Sequence, residues 1–482
     1  MYRFAGTMVH SKIWRKQMQL VRRVLLCLAA VHISLLSAQQ PWTVKPQWVK
    51  AHEDFLASDA MQGRGSATHD EEVTATYVAS EFEGYGLKFA PGMTGYIQSA
   101  EMVAPQLDGH STLTVAGVKL FEGRDFDLLI SSGTAASGSL RAITSAEVAS
   151  AKFDRGSAVL VTGTKDSDEA SQALSALRRK GASVVILVGG PGTENLFGML
   201  GGKTRTPIHL AEQPARNGGP TVLLLHADAA AKLKTGDGAP VSVDVQEVTG
   251  ASQRKTFNAI GYLQGSDPKA GTILLSAHLD HLGIGKPVNG DGLYNGANDD
   301  AAGTTAVMEL AHALAAGPQP RRSILFVCYG SEEIGGMGST YFGEHPPIPL
   351  TDLVTNLEFE MIGNQDPKMP KGVLLLTGWE RSNLGPTLRE HGALLGPDPY
   401  PEQRFFERSD NYSLALKGVV AHTAAGWGTP PTYHQPNDDI EHLDIPFMTT
   451  AIQSLVEPVR WLASSDFVPK WNEGGQPKRE GR

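Results

Sequence analysis

From residue 256 onward the chain alternates between short apolar runs and longer amphipathic ones. "GTILLSA", "RRSILFVCYG", "GVLLLTG" and "GVVAHTAAG" are apolar almost without interruption, as strands covered on both faces must be. "AAGTTAVMELAHALAAG" and "TTAIQSLVEPVRWLASS" have the length and spacing of helices. This rhythm predicts an α/β fold: a mostly parallel, mixed sheet with helices on both faces. In such sheets ligands bind at the carboxyl ends of the strands. The residues that follow each apolar run are therefore the ones to read for chemistry.

Every run ends in polar residues. "TILLSA" is followed by His278, Leu279, Asp280 and His281. "NGANDDAAG" then sets Asp299 and Asp300 just before a helix, and "SILFVCYG" leads into the adjacent pair Glu332 and Glu333. "LVTNLEF" ends in Glu360, and "PTYHQPNDD" brings Tyr433 and His434 after the last strand. Taken singly, each has a plain structural explanation. An aspartate pair can cap a helix, a strand-end histidine can be solvated, and a Glu-Glu pair can be a turn. Taken together, they crowd carboxylates along one edge of a sheet, where burial penalises charge. Cations relieve that crowding. Imidazole with carboxylate suits zinc, with manganese or cobalt as alternatives. Three carboxylates and two histidines supply two ions, with one carboxylate shared between centres about 3.5–4 Å apart, as in two-metal hydrolases. Asp280 is placed to orient the imidazole of His278 from behind. Cys328, inside an apolar run, is expected to be core packing.

The rest of the chain sets the context. A basic stretch, "KIWRKQMQLVRR", precedes the apolar "VLLCLAAVHISLLSAQQ". Residues 1–38 therefore read as a secretory signal peptide cleaved after Ala38. The apolar run is short of the roughly 20 residues that span a bilayer, so no stable membrane insertion is expected after cleavage. Cleavage removes Cys27 and leaves Cys328 alone, so no internal disulfide can form. That suits export by a bacterium, to the periplasm or beyond. A net charge of −9 without a long basic run argues against nucleic-acid binding. Two helical patterns in 41–100 flank the glycine-rich "QGRGSATHD". Between 101 and 252, "GSAVLVTG", "ASVVILVGG" and "PTVLLLH" read as strands, with "SDEASQALSALRRKG" a helix closed by Gly181. The polar tail from Lys470 is expected to be disordered.

The segments "SAHLDHLG", "NGANDDAAG", "YGSEEIGGMGS", "NLEFEMIG", "RSDNYSLALKGV" and "TYHQPNDD", in this order, resemble those of the di-zinc aminopeptidases of the M28 type. "LASDAMQGRGSATHDEEVTATYVASEFEGYGLK" is similar to that family's opening segment, and residues 106–252 look like the protease-associated domain often inserted in it. The resemblance implies a zinc-exopeptidase-type fold with a metallopeptidase domain split into 39–105 and 253–468, the insertion at 106–252 and a tail at 469–482. It implies His278 and Glu360 as terminal ligands, Asp299 as the bridge, and Glu333 and His434 as ligands of the other ion. Glu332 would be the general base and Tyr433 the donor to the oxyanion. Arg408, Asp410 and Asn411 would shape the substrate pocket. Two positions depart from the pattern: Glu360 stands where members often have Asp, and Asn411 where His is equally acceptable.

The implied function is an exported, dinuclear zinc aminopeptidase that removes N-terminal residues from peptides. Three alternatives stay open. A carboxypeptidase would need a cation for the substrate carboxylate, for which Arg404 and Arg408 are the candidates. A glutaminyl-cyclase-like member would more typically lack the insertion. A non-catalytic receptor or scaffold would be expected to have lost ligands. The insertion reads either as a packing module or as a lid that limits access to short peptides.

Overall fold

A computed structural model describes residues 42–478, apart from 134, 191–192, 194–195, 197–203, 214–218, 234–235 and 249–252. The expected signal peptide, residues 1–38, lies outside the described residues. Among those residues, no helix is long and apolar enough to cross a membrane. The residues from Val44 onward form one unit.

Nine strands make the larger sheet among the described residues: β1 (Ile97–Val103), β2 (His209–Leu210), β3 (Gln253–Leu263), β4 (Thr272–His278), β5 (Ser323–Tyr329), β6 (Leu353–Glu360), β7 (Leu374–Leu376), β8 (Leu395–Pro397) and β9 (Ala421–Ala425). Their spatial order is β8-β7-β9-β6-β4-β5-β3-β1-β2. The centre, β9-β6-β4-β5, is parallel. β3, β1 and β2 extend it antiparallel on one side. On the other, β7 is antiparallel to β9 and parallel to β8. β4 and β5 are buried at every residue, which is why their sequences carry no polar alternation.

Helices α1 (Pro46–Leu56), α2 (His69–Gly84), α3 (Ser167–Lys180), α4 (Ala302–Ala315), α5 (Met337–Glu344), α6 (Asn411–Ala415) and α7 (Ile445–Ser464) provide the covering layers. Side-chain alternation along the strands sorts them. Leu274, Leu325, Val327 and Tyr329 pack with Phe342 of α5 and with Leu414 and Ala415 of α6. Phe326 points the other way and meets Phe82 of α2, with ring centroids 6.2 Å apart. On that face α4 lies against β4, β5 and β6, and α1, α2 and α7 close over it. A helix enclosed on all sides must be apolar all round, and "AVMELAHALA" is nearly so.

Between β1 and β3 the chain builds a second, eight-stranded sheet among the described residues, with α3 on one face. Val159, Val161, Val185 and Leu187 face Ala170, Ala173 and Leu177 of α3. The alternate residues Ala158, Leu160, Val184 and Ile186 enter the opposite core. Asp166 caps α3 by accepting the amide of Glu169 at 2.8 Å, and Gly181 ends it at φ +82°. We propose 106–252 as the inserted domain and 39–105 with 253–468 as its host. The insertion joins the host's sheet where His209 and Leu210 pair with Val103 and Met102.

The expected disordered tail is a correction, as far as residue 478. Asn383 Oδ1 accepts the amide of Lys470 at 2.7 Å, the Trp471 indole donates to the Gly418 carbonyl at 3.1 Å, and the Asn472 amide to Arg381 at 2.8 Å. The tail is polar in composition, but one tryptophan that packs beside Phe406 and His422 anchors it.

Candidate metal centre

β4 ends at His278 and β6 at Glu360, while the turn after β5 carries Glu332 and Glu333. Asp299 lies in the tight turn 297–301 that feeds α4. Asp438 holds this turn by accepting the amides of Asn298 and Asp299, both at 3.0 Å. Asp300 is buried and serves the scaffold. It accepts the amides of Gly303 and Met361, both at 2.9 Å, and so ties the turn to the end of β6.

Asp299 stands at the centre of the group. Its Oδ1 is 3.2 Å from His278 Nε2 and its Oδ2 is 3.1 Å from His434 Nε2. Glu333 Oε1 is also 3.1 Å from His434 Nε2. Donor atoms of His278, Asp299 and Glu360 lie within 4.8 Å of one another, and so do those of His281, Asp299 and Glu333. The two clusters share Asp299, as a bridging carboxylate would. All five expected ligands are thus brought together.

The donor atoms fit a pair of cations. His278 Nε2, Asp299 Oδ2 and Glu333 Oε1 are buried without a hydrogen-bond partner among the described residues. Histidines are the only ion-pair partners of Asp299 and Glu333 among those residues. Buried, unpartnered donors facing each other are costly unless something else satisfies them. Nitrogen and carboxylate oxygen are donors that zinc accepts.

The two adjacent glutamates are driven apart electrostatically. Burial pushes the Glu332 carboxyl well above its ordinary range, and Asp410, Glu333 and Glu360 reinforce this against the pull of His278. Burial also acts to raise Glu333, but His434 and His281 outweigh it and hold that carboxyl well below the usual range. Asp299 is held low in the same way: burial and Glu333 raise it, and the contacts with His278, His434 and His281 outweigh them. Burial lowers His278, and Asp300, Asp299 and Glu332 more than reverse that.

One expectation gains its geometry, and those for Asp410 and Asn411 need correction. His278 Nδ1 meets the main-chain carbonyl of Asp280 at 3.2 Å, whereas the Asp280 carboxylate is 3.9 Å away. Asp280 therefore orients the imidazole through its backbone, and its carboxylate is engaged elsewhere. Asp410 and Asn411 do not line the pocket. Asp410 is buried against the Ser339 hydroxyl, and Asn411 donates its amide to Glu358 Oε2 at 2.6 Å and its side chain to Phe406 and Ala421 carbonyls. Helix α6 starts there and turns both side chains inward. Arg408 does face the pocket. An inner recess beside Glu360 is lined by Leu375, Phe405, Arg408, Thr423 and Tyr433. It shares Arg408 and Tyr433 with a cleft of about 1600 Å³ whose walls also include Gln435, Arg404 and, from α3, Ser171 and Arg178. Cys328 is fully buried in β5 and burial pushes its thiol pKa up, as core packing requires.

Two residues without an assigned role stand out. His281 sits in the second donor cluster, and the second histidine of "HLDHLG" was its only signal. Arg64, wholly buried, donates to the carbonyls of Leu279, Leu56, Asn295 and Gly296 at 2.7–3.0 Å. It clamps the exit of β4 to the loop before Asp299. Gly63 permits this approach: at φ +67°, an added Cβ would lie 2.1 Å from the Tyr294 carbonyl oxygen.

Residues 258–457 match the family model of peptidase family M28. A stretch of 133 residues is 32% identical to Leupeptin-inactivating enzyme 1 of Streptomyces exfoliatus, covering 27% of this chain and 28% of that one. A stretch of 155 residues is 26% identical to Aminopeptidase YwaD of Bacillus subtilis strain 168, covering 31% and 33%. The chain thus spans a third or less of the length of these curated relatives. A solved zinc aminopeptidase from Bacillus subtilis aligns with a TM-score of 0.57 over 88% of this chain and 96% of that one, at 19% identity. The aminopeptidase from Aneurinibacillus sp. strain AM-1 aligns at 0.56 over 87% and 94%, at 18% identity. At these identities the structural likeness is one of fold, and the fold is that of these aminopeptidases. Every donor of the metal centre lies within residues 258–457, the segment that matches the model of peptidase family M28.

Proposed function

We propose that the chain is an exported dinuclear zinc aminopeptidase acting on peptides. The observation that carries this is the pair of donor clusters sharing Asp299 at the carboxyl edge of the sheet. His278 and Glu360 would hold one ion, Glu333 and His434 the other, and Asp299 would bridge. Bound there, the ions supply Lewis acidity and bring the pKa of a water toward neutrality.

The chain's own residues do the rest. Glu332 is available for proton transfer: among the described residues its carboxylate makes no hydrogen bond or ion pair, and it lies within electrostatic reach of His278 and Glu360. It takes a proton from the attacking water and returns it to the leaving amine. The hydroxyl of Tyr433, on the wall of the recess, donates to the oxyanion. The free α-amine of a substrate would sit among the carboxylates beside Glu360, which selects for a chain end. α3 faces the outer cleft and acts as the lid that favours short peptides. Export rests on the basic-then-apolar stretch within residues 1–38.

Aminoacyl-nitroanilides and N-blocked peptides, assayed with and without chelator and added zinc, test the reading. Free-amine substrates should be cleaved, activity should vanish on chelation, and zinc should restore it. Preferential cleavage of N-blocked peptides would overturn the aminopeptidase reading. One observation favours a carboxypeptidase instead: Arg408 lines the recess beside Glu360 and has no ion-pair partner among the described residues, whereas Arg404 pairs with Glu407 at 2.5 Å. Under that reading Arg408→Ala lowers kcat/KM by roughly 10-fold or more on peptides with a free C-terminus, the worth of a charge-assisted hydrogen bond.

A further inference from the structure

The geometry points to His281 as a further protein ligand of the ion held by Asp299, Glu333 and His434, so that this ion has four protein donors and its neighbour three. The inference rests on the dinuclear reading above. His281 is 0% exposed, and neither ring nitrogen has a hydrogen-bond partner among the described residues. A buried imidazole left in that state is costly unless its lone pair is taken up. Nδ1 stands 2.9 Å from Glu333 Oε1 and 3.9 Å from Asp299 Oδ2, within ion-pair distance of both but in hydrogen-bond geometry with neither. His434 Nε2 stands 3.1 Å from each of the same two oxygens. Four donors placed tetrahedrally about 2.0–2.1 Å from a zinc ion are about 3.3 Å apart. The observed separations of 2.9 to 3.9 Å bracket that value.

The main chain is built to hold this ring in place. The His281 amide donates to the Arg64 carbonyl at 3.0 Å, and the His281 carbonyl accepts the Ser66 amide at 3.1 Å. Gly296, at φ +64°, lies against the ring: a Cβ there would be 2.4 Å from His281 Cγ. Any other residue would displace the imidazole from Glu333.

The two ions then differ. An ion with four protein donors is closed, whereas one with three keeps a position open, which is the difference between structural and catalytic zinc sites. The open side is that of His278 and Glu360, and Glu360 borders the recess. The ion beside His281 is the tighter one.

Zinc content by mass spectrometry, zinc affinity by chelator competition and the spectrum of the Co(II) form test this. The native protein should hold two zinc ions, one of which survives dialysis that strips the other. His281→Ala and His281→Asn should bind the surviving ion at least ~10-fold more weakly, whereas His278→Ala should lose the exchangeable ion and keep the tight one. Because a buried histidine variant can fail to fold, the native Co(II) protein carries a second measurement. Its proton NMR spectrum should show three hyperfine-shifted, exchangeable imidazole N–H signals. Two signals, or folded His281 variants with unchanged affinity, would overturn the role of His281 and leave the dinuclear reading standing. A native protein that binds no zinc would overturn both.

Discussion

Oδ1 of Asp280 accepts the main-chain N–H of Glu332 at 2.9 Å. Its Oδ2 takes the Ser66 hydroxyl at 2.5 Å and the Glu333 amide at 3.4 Å. One carboxylate therefore fixes the backbone of the proposed base and of a proposed ligand together. Asp280→Asn sets an NH₂ group against one of these donors and loosens the turn. The expected outcome is a fall in kcat of about 10–100-fold with zinc content retained. Unchanged kcat on an aminoacyl-nitroanilide would show that this contact does not position the base.

The adjacent glutamates should separate cleanly. Glu332 belongs to neither donor cluster, and Glu333 belongs to one. Glu332→Gln should keep both zinc ions and lose about 10²–10⁴-fold in kcat, the usual worth of a general acid–base group. Glu333→Gln should lose an ion. Zinc content measured beside turnover distinguishes the two, and near wild-type kcat in Glu332→Gln would remove that residue from the role of base.

The tail should matter to stability. Trp471 bonds to the Gly418 carbonyl, and its ring centroid lies 5.5 Å from that of His422 and 6.2 Å from that of Phe406. A half-buried tryptophan of this kind contributes about 1–2 kcal/mol, so Trp471→Ala should lower Tm by a few degrees. A calorimetric Tm identical to wild type would return the tail to the disordered state its composition implies.

Where the sequence was legible, one physical rule tied pattern to place. Strands buried on both faces are apolar almost throughout, so β4 and β5 announce their own ends, and donors for a shared ion sit at those ends, as His278 and Glu333 do. β6, "LVTNLEFE", carries Thr355, Asn356 and Glu358 within it, so Glu360 is legible from its motif rather than from an apolar run. The rule does not say which way a side chain turns once the strand is over. Asn411 and Asp410 stand in a polar motif, yet α6 begins there and turns the Asn411 side chain to the Phe406 and Ala421 carbonyls and that of Asp410 to the Ser339 hydroxyl. His281 lies three residues after His278, and nothing linear separates a solvated histidine from a donor. Its placement depends on Arg64 and Gly296, contacts that only the folded chain makes.

His422 predicts a pH dependence of stability away from the metal centre. It is buried in β9, where Nδ1 donates to the Thr377 carbonyl at 2.8 Å and Nε2 accepts from the Ser382 hydroxyl at 2.7 Å. Both nitrogens are thus used by the neutral ring. Burial, aided by the Arg381 charge and opposed by the bond to Thr377, lowers its pKa from 6.5 to about 4. Because the folded state binds this proton less readily than the unfolded chain, the contribution to stability is full above pH 6.5. It is lost as pH falls toward 4 and levels off below that. At 1.36 kcal/mol per pH unit, the loss is about 3 kcal/mol. Gln at this position bonds to the same two partners and does not titrate. Urea denaturation of wild type and His422→Gln between pH 7 and 4 should therefore give curves that diverge by about 3 kcal/mol, the variant losing less. All other titrating groups are common to both proteins and cancel in the difference, so parallel curves would mean that His422 is protonated in the folded state at no penalty.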